Sequence, residues 1–234
     1  MKRVLVMEDE AAIREFIVIN LERGGYEVIQ AADGKQALEA YERLKGELDI
    51  AVLDIMVPEI DGIEVCKRLR AKSPKLGIIM LTAKTQEMDK LNGLMNGADD
   101  YITKPFSPSE LNARVDAIYR RVALNAEAER LSASHIIKSG ESFVLNLRSH
   151  TLTKDGKNIE LTQVEFQLIE FFLSNQGAVL SRTEILEYVW GKNYVGEEKI
   201  VDVNIRRLRM KLEDDASKPR YITTVWGYGY KWEP

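Results

Sequence analysis

The stretch IAVLDIMVPEIDG, residues Ile50–Gly62, decides how the first half of the chain is interpreted. It begins as a continuous apolar run, which is typical of a strand buried on both faces of a parallel sheet. Asp54 ends that run, and Pro58 and Asp61-Gly62 break the chain just beyond it. Ligands of open parallel sheets bind at the carboxyl ends of the strands. Asp54 is therefore predicted to be a functional carboxylate on a rigid support.

The sequence on both sides of this stretch alternates between strand and helix patterns. Strands are expected at Lys2–Met7, Tyr26–Gln30, Leu48–Leu53, Gly77–Leu81 and Tyr101–Ile102. Helices are expected at Ile13–Leu21, after an Asp33 cap through Ala37–Tyr41, at Ile63–Leu69, around Leu91 and Leu94, and at Ser107–Arg121. Such alternation predicts an α/β fold, a doubly wound parallel five-stranded sheet with helices on both faces.

The pattern changes after Arg121. Residues 122–134 are polar and alanine-rich, which indicates an extension of the last helix that passes into a linker. Residues 135–234 then show short strands, a turn at Asp155-Gly156, three helices and a final strand pair from Tyr221 to Trp232. The predicted helices are Thr162–Leu173, Arg182–Val189 and Val201–Leu212. We therefore expect a domain at 1–121, a linker at 122–134 and a smaller α+β domain at 135–234.

Composition restricts the possible functions. The 234 residues are 45% hydrophobic and 30% charged with a net charge of -4, as in an ordinary two-domain globular protein. A single cysteine, Cys66, and two histidines, His135 and His150, argue against disulfides, multi-cysteine zinc sites and a Ser-His-Asp centre. No apolar run reaches membrane-spanning length, and the amino terminus meets acids too early for a secretory signal. We expect a cytoplasmic protein with no membrane partner.

Polar residues cluster at the predicted strand ends. Glu8 and Asp9 end the first strand and Asp54 ends the third, and these strands flank the crevice of a doubly wound sheet. Three carboxylates at one place need a cation, and an all-oxygen set suits Mg²⁺. Thr82 and Lys104 follow two further strands. A hydroxyl and an ammonium beside a carboxylate and a metal form a phosphoryl-binding site.

The helix Val201–Leu212 concentrates the positive charge of the second half. Residues 122–234 hold 15 basic and 16 acidic side chains, so this half is not basic overall. The apolar stripe of the helix consists of Val201, Ile205, Leu208 and Leu212, and a polar stripe beside it of Asn204, Arg207 and Lys211. Lys199, Arg206 and Arg209 lie nearby in sequence. This patch indicates a helix that binds duplex DNA, although a solvated charged face is a common alternative.

Eight segments resemble one protein family. VMEDE, VLDIMVPEIDG, MLTAK and YITKPFSP resemble the receiver domain of bacterial two-component response regulators, which implies a flavodoxin-like strand order. LTQVEFQLIEFF, VLSRTEILEYVW, KIVDVNIRRLRMKL and YITTVWGYGYKW resemble the winged-helix DNA-binding domain of the OmpR/PhoB subfamily. The resemblance implies a transcriptional regulator that a sensor histidine kinase phosphorylates.

The receiver resemblance implies roles for individual residues. Asp54 would be the phosphoacceptor, and Thr82 and Lys104 would bind phosphoryl oxygens. Mg²⁺ would be held by Glu8, Asp9, Asp54 and the backbone carbonyl of Met56. Tyr101 would be the aromatic switch. Met56 and Lys84 occupy positions that tune phosphoprotein lifetime in this family, and we hypothesise that the bulky Met56 hinders attack by water.

The effector resemblance makes Val201–Leu212 the recognition helix and the terminal hairpin the wing. The expected DNA contacts are Lys199, Asn204, Arg206, Arg207, Arg209, Lys211, Thr224, Trp226 and Tyr230. Trp226 stands where many relatives carry an arginine, so weaker minor-groove readout is expected; the indole could pack on sugar or be partly buried in the hairpin. The loop 190–198 corresponds to one that can meet RNA polymerase.

Phosphorylation in this subfamily promotes a symmetric homodimer through the fourth helix, fifth strand and fifth helix, which binds direct-repeat promoter DNA. The charged candidates for this interface are Lys90, Asp99, Asp100, Glu110, Arg114 and Arg121. Asn96 and Ala117 occupy positions where relatives often place another ion pair. Because exposed pairs contribute little individually, dimerisation is expected to be weaker and still present.

Two other functions stay open at this point. A haloacid-dehalogenase-type phosphatase would also use a strand-end aspartate with Mg²⁺, but it would need a second aspartate where Met56 stands. An inert binding module would not need the full set of site residues. The prediction is a regulator with no enzymatic role beyond, at most, slow self-dephosphorylation.

Overall fold

The computed structural model describes residues 2–83, 96–131, 136–192, 194 and 196–233. The chain divides into two compact units, Met1–Val122 and Ala123–Pro234. Across the described ranges, no helix is long and apolar enough to cross a membrane.

The first unit is built on a parallel sheet of five strands. These strands are β1 Lys2–Met7, β2 Tyr26–Ala31, β3 Ile50–Asp54, β4 Gly77–Ala83 and β5 Asp100–Lys104. Their order is β2-β1-β3-β4-β5, so the reversal of strand order lies between β1 and β3. The predicted doubly wound fold is confirmed, and the carboxyl ends of β1 and β3 are neighbours.

The helices of this unit are α1 Ala11–Arg23, α2 Gly34–Arg43, α3 Gly62–Lys72 and α4 Pro108–Leu131. The side chains of Asp33 and Asp61 cap α2 and α3 by accepting hydrogen bonds from backbone N–H groups one turn later. α4, the predicted fifth helix, continues past Arg121 to Leu131. The helix expected around Leu91 and Leu94 lies outside the described residues.

The core of the first unit lies between the sheet and its helices. All five residues of β3 are buried, as expected for a central strand covered on both faces. Val6 and Val52 pack with Ile17 of α1 and with Leu111 and Val115 of α4. This packing gives the strand ends a rigid support.

In its described residues, the second unit combines two antiparallel sheets with three helices. A four-stranded sheet contains β6 Ile136–Ser139, β7 Phe143–Asn146, β8 Thr151–Lys154 and β9 Lys157–Ile159. The helices are α5 Gln163–Ser174, α6 Arg182–Trp190 and α7 Lys199–Leu212. A second sheet contains β10 Val179–Ser181, β11 Ile222–Val225 and β12 Gly229–Trp232, in the order β10-β12-β11. The predicted α+β domain with a terminal hairpin is confirmed.

Matching capping boxes begin two helices of this unit. At α5 the Thr162 side chain accepts from the Glu165 N–H while the Glu165 side chain accepts from the Thr162 N–H, and Ser181 and Glu184 repeat the arrangement at α6. The two glutamates differ in burial: Glu165 is fully buried and Glu184 is exposed.

Candidate phosphoryl site and nucleic-acid interface

Three acidic side chains converge at the carboxyl ends of β1 and β3. Carboxylate oxygens of Glu8, Asp9 and Asp54 lie within 4.8 Å of one another. Glu8 and Asp54 are buried and Asp9 is exposed. The predicted acidic cluster is thus present, with one edge open to solvent.

Lys104 from the end of β5 reaches into this cluster. Its Nζ lies 2.8 Å from Oδ2 of Asp54 and 2.6 Å from Oε2 of Glu8. Burial raises the pKa of Glu8, and the hydrogen bond and positive charge of Lys104 lower it by less, so that the net shift is upward. For Lys104, burial opposes the charged form, but hydrogen bonds to Asp54 and Glu8 outweigh it and raise the pKa of the ammonium. Lys104 therefore stays charged beside the predicted phosphoacceptor.

The donor set fits a hard divalent cation. Oε1 of Glu8 is buried and has no hydrogen-bond partner within the described ranges, so one ligand atom is unsatisfied inside the cluster. Oxygen-only ligands with an open side suit Mg²⁺, which keeps several waters. The Met56 backbone N–H lies 3.4 Å from Oδ1 of Asp54, and the Met56 side chain is 65% exposed. A metal contact from the Met56 carbonyl remains a prediction.

Arg14 and Gly62 shape the loops at this site. Nη1 of Arg14 donates to the backbone carbonyls of Glu8 at 2.6 Å and Asp9 at 3.2 Å. A Cβ at Gly62 would lie 2.1 Å from the Asp54 carbonyl oxygen, so only glycine fits there. The Asp61-Gly62 pair signalled a turn, whereas Arg14 carries no sequence signal beyond a basic residue one turn into α1.

Thr82 and Tyr101 lie in the sheet beside the cluster. Thr82 follows Leu81, which pairs with Asp54 across β3 and β4. Its hydroxyl donates a long 3.4 Å hydrogen bond to the Ala83 carbonyl. Tyr101 is 5% exposed, so its ring is inside the unit in this conformation. Their roles as phosphoryl ligand and switch remain predictions.

An apolar groove opens beside the cluster. Most of its lining is apolar, and the lining residues are Glu10, Ala12, Ile13, Phe16, Lys104, Pro105 and Phe106. The Phe16 and Phe106 rings lie 6.2 Å apart between centroids, and Phe16 is 38% exposed. The neighbouring Ile19 on α1 is 41% exposed.

Three of the predicted dimer residues are buried within the protomer. Asp99 accepts hydrogen bonds from Arg70 at 2.7 Å and from the Ile78 N–H at 2.8 Å. Arg114 pairs with Asp100 at 3.0 Å and with Glu110 at 2.9 Å. Asp99, Asp100 and Arg114 are at most 6% exposed, and their pairing within the protomer is how buried charges are tolerated. Their place at a dimer interface remains a prediction. Lys90 and the side chain of Arg121 lie outside the described residues.

The α7 helix has an inner and an outer polar face. Lys199 and Arg206 are exposed. Arg209 is partly buried, and its guanidinium donates to the Ile222 carbonyl at 2.6 Å and to Thr224 at 2.8 Å. Met210 is 52% exposed on the outer face. The outer face of α7 therefore carries fewer charged side chains than the sequence indicated.

Asn204 and Arg207 require a correction, because both are buried, at 0% and 4% exposed. The Asn204 amide donates to the Ile200 carbonyl at 2.9 Å, and its oxygen accepts from Arg207 at 3.2 Å. Arg207 pairs at 3.0 Å with Glu165 of α5. Lys211 is exposed, and its Nζ lies 2.6 Å from the same carboxylate. Asn204 and Arg207 therefore face the domain interior, where their polar groups find partners.

The wing hairpin also differs in part from expectation. Tyr230 is 5% exposed, which corrects its assignment to the DNA face; its hydroxyl donates to Asp202 at 2.7 Å. Thr224 is partly exposed. Trp226 is 89% exposed and Tyr228 72% exposed at the turn. Trp226 is therefore not partly buried in the hairpin, and Tyr228 is an exposed aromatic residue that the sequence analysis omitted.

Comparison with known proteins accounts for both units. Residues 4–116 match the family model of the response regulator receiver domain, and residues 156–232 match that of the transcriptional regulatory protein C-terminal domain. The chain is 45% identical to the alkaline phosphatase synthesis transcriptional regulatory protein PhoP of Bacillus subtilis, over 99% of this chain and 97% of that protein. It belongs to the OmpR/PhoB family of two-component response regulators.

Further relatives of this response regulator agree. It is 40% identical to the sensory transduction protein RegX3 of Mycolicibacterium smegmatis over the full length of both. A cysteine-to-serine mutant of RitR matches with a TM-score of 0.77 and 28% identity, over 100% of this chain and 99% of that chain. DrrB of Thermotoga maritima, described as an OmpR/PhoB homologue, matches with a TM-score of 0.51 and 30% identity over both full chains. The response regulator is thus a transcriptional regulator with a receiver and a DNA-binding domain.

Proposed function

We propose that a sensor histidine kinase transfers a phosphoryl group to Asp54 in the cytoplasm and that the modified protein binds direct-repeat promoter DNA as a homodimer. The single observation that carries this proposal is Lys104, whose ammonium lies 2.8 Å from Asp54 and 2.6 Å from Glu8. A cation held at the predicted acceptor oxygen is suited to a phosphoryl oxygen once the aspartate is modified.

The residues around Asp54 would each have a separate role in phosphorylation. A phosphoryl group adds roughly 1.5–2 negative charges at neutral pH, and Lys104 and Thr82 would each bind one of its oxygens. Mg²⁺ held by Glu8, Asp9, Asp54 and the Met56 carbonyl would neutralise charge on the transferred group. Met56, 65% exposed beside the site, would hinder water and slow self-dephosphorylation.

The apolar groove beside Lys104 supports docking of the kinase. A phosphoryl donor has to approach Asp54 past Lys104, which lines the groove together with Phe16, and Phe16 and Ile19 are both exposed. Exposed apolar surface of this kind is typical of protein interaction sites. A small acyl phosphate needs no such surface, which gives the proposal a direct test.

DNA would contact the outer face of α7 and the wing. Lys199 and Arg206 are exposed and would bind phosphates or base edges in the major groove, and Arg209 would add its partly buried guanidinium. Trp226 at the turn of the wing would meet the minor groove. The loop 190–198 is the proposed contact for RNA polymerase; within it, Asn193 and Val195 lie outside the described residues.

Dimerisation would use the face formed by β5, α4 and the segment between β4 and β5. Of the predicted charges, Glu110 remains partly exposed, with 26% of its side chain accessible, while Lys90 and Arg121 fall outside the described side chains. With Asp99, Asp100 and Arg114 engaged internally, fewer cross-dimer ion pairs are available. Weak dimerisation is therefore expected.

Acetyl phosphate with Mg²⁺ tests this function. The expected results are a stable mass gain on Asp54, dimers in sedimentation at micromolar concentration, and tighter DNA binding, all absent in Asp54→Ala. Catalytic turnover of the phosphodonor would indicate a phosphatase instead. No reaction at all would indicate an inert binding module, and sedimentation of the phosphorylated protein only as a monomer would contradict the dimer.

A further inference from the structure

Glu165 is a fully buried carboxylate that joins α5 to the inner face of α7. Its Oε2 accepts from the Thr162 N–H at 2.8 Å and from Nζ of Lys211 at 2.6 Å. Its Oε1 lies 3.0 Å from Nη2 of Arg207. One acidic side chain therefore caps its own helix and binds two cations of another.

The two cations lie four residues apart on α7, which places them on one stripe one turn apart. Arg207 is itself buried and also donates to Asn204 at 3.2 Å. A buried charge is stable only when it is paired and hydrogen-bonded, and removal of one partner is strongly destabilising. Glu165 therefore restrains α7 against rotation about its axis, because any turn of the helix breaks two ion pairs.

The outward face of α7 depends on this restraint. Lys199 and Arg206 are exposed, whereas Glu165 pairs with the buried Arg207 and with Nζ of the exposed Lys211. We propose that Glu165 is a positioning residue for DNA recognition: it fixes the rotation of α7 and withholds Arg207 and Lys211 from DNA phosphates. This inference rests on the proposed role of α7 as the recognition helix.

Glu184 provides a matched control within the same domain. It also occupies the third helical position of a capping box, accepting from the Ser181 N–H at 2.8 Å and from the Ser181 hydroxyl at 2.7 Å. It is exposed and has no cationic partner within the described ranges. Glu165→Gln and Glu184→Gln both keep an oxygen that can accept the capping-box hydrogen bond. Because only Glu165 forms ion pairs with α7, only Glu165→Gln removes an ionic restraint.

The experiment uses the full chain after acetyl phosphate treatment. One probe is a duplex that the wild-type protein enriches from a random-sequence library, and the other is poly(dI-dC). For Glu165→Gln we expect at least a tenfold loss of affinity for the enriched duplex and a higher affinity for poly(dI-dC). The slope of log K against log salt should become steeper by the equivalent of about one to two phosphate contacts. Glu184→Gln should change neither the affinity ratio nor the salt slope.

Arg207→Gln separates positioning from direct contact and remains informative if Glu165→Gln folds poorly. If Glu165 acts by positioning, Arg207→Gln should lose affinity for the enriched duplex with no reduction of the salt slope. The double variant Glu165→Gln/Arg207→Gln should then bind no more weakly than the poorer single variant. An unchanged affinity ratio and slope in Glu165→Gln would overturn the proposal. So would a slope reduced by about one phosphate in Arg207→Gln, since Arg207 would then contact DNA directly. If the wild-type chain enriches no duplex, the DNA-binding function itself fails and the inference fails with it.

Discussion

Replacement of Trp226 by alanine should weaken DNA binding without changing its dependence on salt. Trp226 is 89% exposed at the turn of the wing, so the substitution should alter the free energy of unfolding by no more than about 0.5 kcal/mol. A tryptophan can bury roughly 150–250 Å², and contact of one ring face with a groove wall would cover about 80 Å². At ~25 cal/mol per Å² this contact contributes about 2 kcal/mol.

Ordering of the indole reduces this contribution by about 0.5–1.5 kcal/mol. The net effect is about 1 kcal/mol, or roughly a fivefold increase in Kd for Trp226→Ala. Because indole is uncharged, the slope of log K against log salt should stay constant. Trp226→Arg should instead steepen the slope by about 0.9 if the guanidinium reaches a phosphate.

The protein carries its own probe for this contact. It has three tryptophans, and Trp190 and Trp232 are at most 1% exposed. Acrylamide should therefore quench Trp226 selectively, and duplex DNA should protect it. Unchanged quenching together with unchanged affinity in Trp226→Ala would show that the wing tip does not touch DNA. Loss of base preference at wing-contacted positions in that variant would contradict the weak minor-groove readout expected here.

Three further predictions concern the receiver site and Glu165. Phe16→Ala should slow phosphorylation by the cognate kinase about tenfold, as loss of an interface aromatic does, while labelling by acetyl phosphate stays constant; equal slowing by both donors would place the defect at Asp54. Met56→Ala should shorten the phosphoprotein lifetime, followed by loss of the phosphoryl mass, and decay of the wild-type receiver within seconds would count against shielding. Burial opposes ionisation of Glu165, but its cationic partners outweigh burial and hold its pKa low. The ionised carboxylate therefore stabilises the fold above pH ~4.3, and this stabilisation is lost as the pH falls and the carboxylate is protonated. Tryptophan fluorescence, which reports residues 123–234 alone, should show a steeper acid loss of stability in the wild type than in Glu165→Gln, and parallel curves would refute this.

The strands and helix caps of the first unit could be predicted closely because their signals are local. Continuous apolar runs indicate buried strands, and the acids that end β1 and β3 need no tertiary information to be placed at one edge of a sheet. Asp33 as a helix cap and Asp61-Gly62 as a turn follow from side-chain chemistry. Arg14 could not be predicted, because its targets are backbone carbonyls that carry no sequence signature.

The polar stripe of α7 could not be assigned correctly for a different reason. Helical periodicity shows that Asn204 and Arg207 share a face, but it does not show whether that face meets solvent or another helix. The deciding residue, Glu165, lies 42 positions before Arg207 and looks in sequence like an ordinary capping glutamate. A buried ion pair between distant segments is visible only once the helices are packed. The same limit applies to Asp100 and Arg114.

Arg70, in the last turn of α3, is expected to affect the candidate phosphoryl site from a distance. Its guanidinium donates to the carbonyls of Ser73, Pro74, Leu76 and Gly97 and to the Asp99 carboxylate. These acceptors precede β4 and β5, the strands that present Thr82 and Lys104 at their opposite ends, roughly 20 Å away along β4. A lysine has no planar fork to reach such divergent acceptors. A screen for variants with altered phosphorylation should therefore recover changes at Arg70, and a substitution there would be mistaken for an active-site defect unless strand positions were examined.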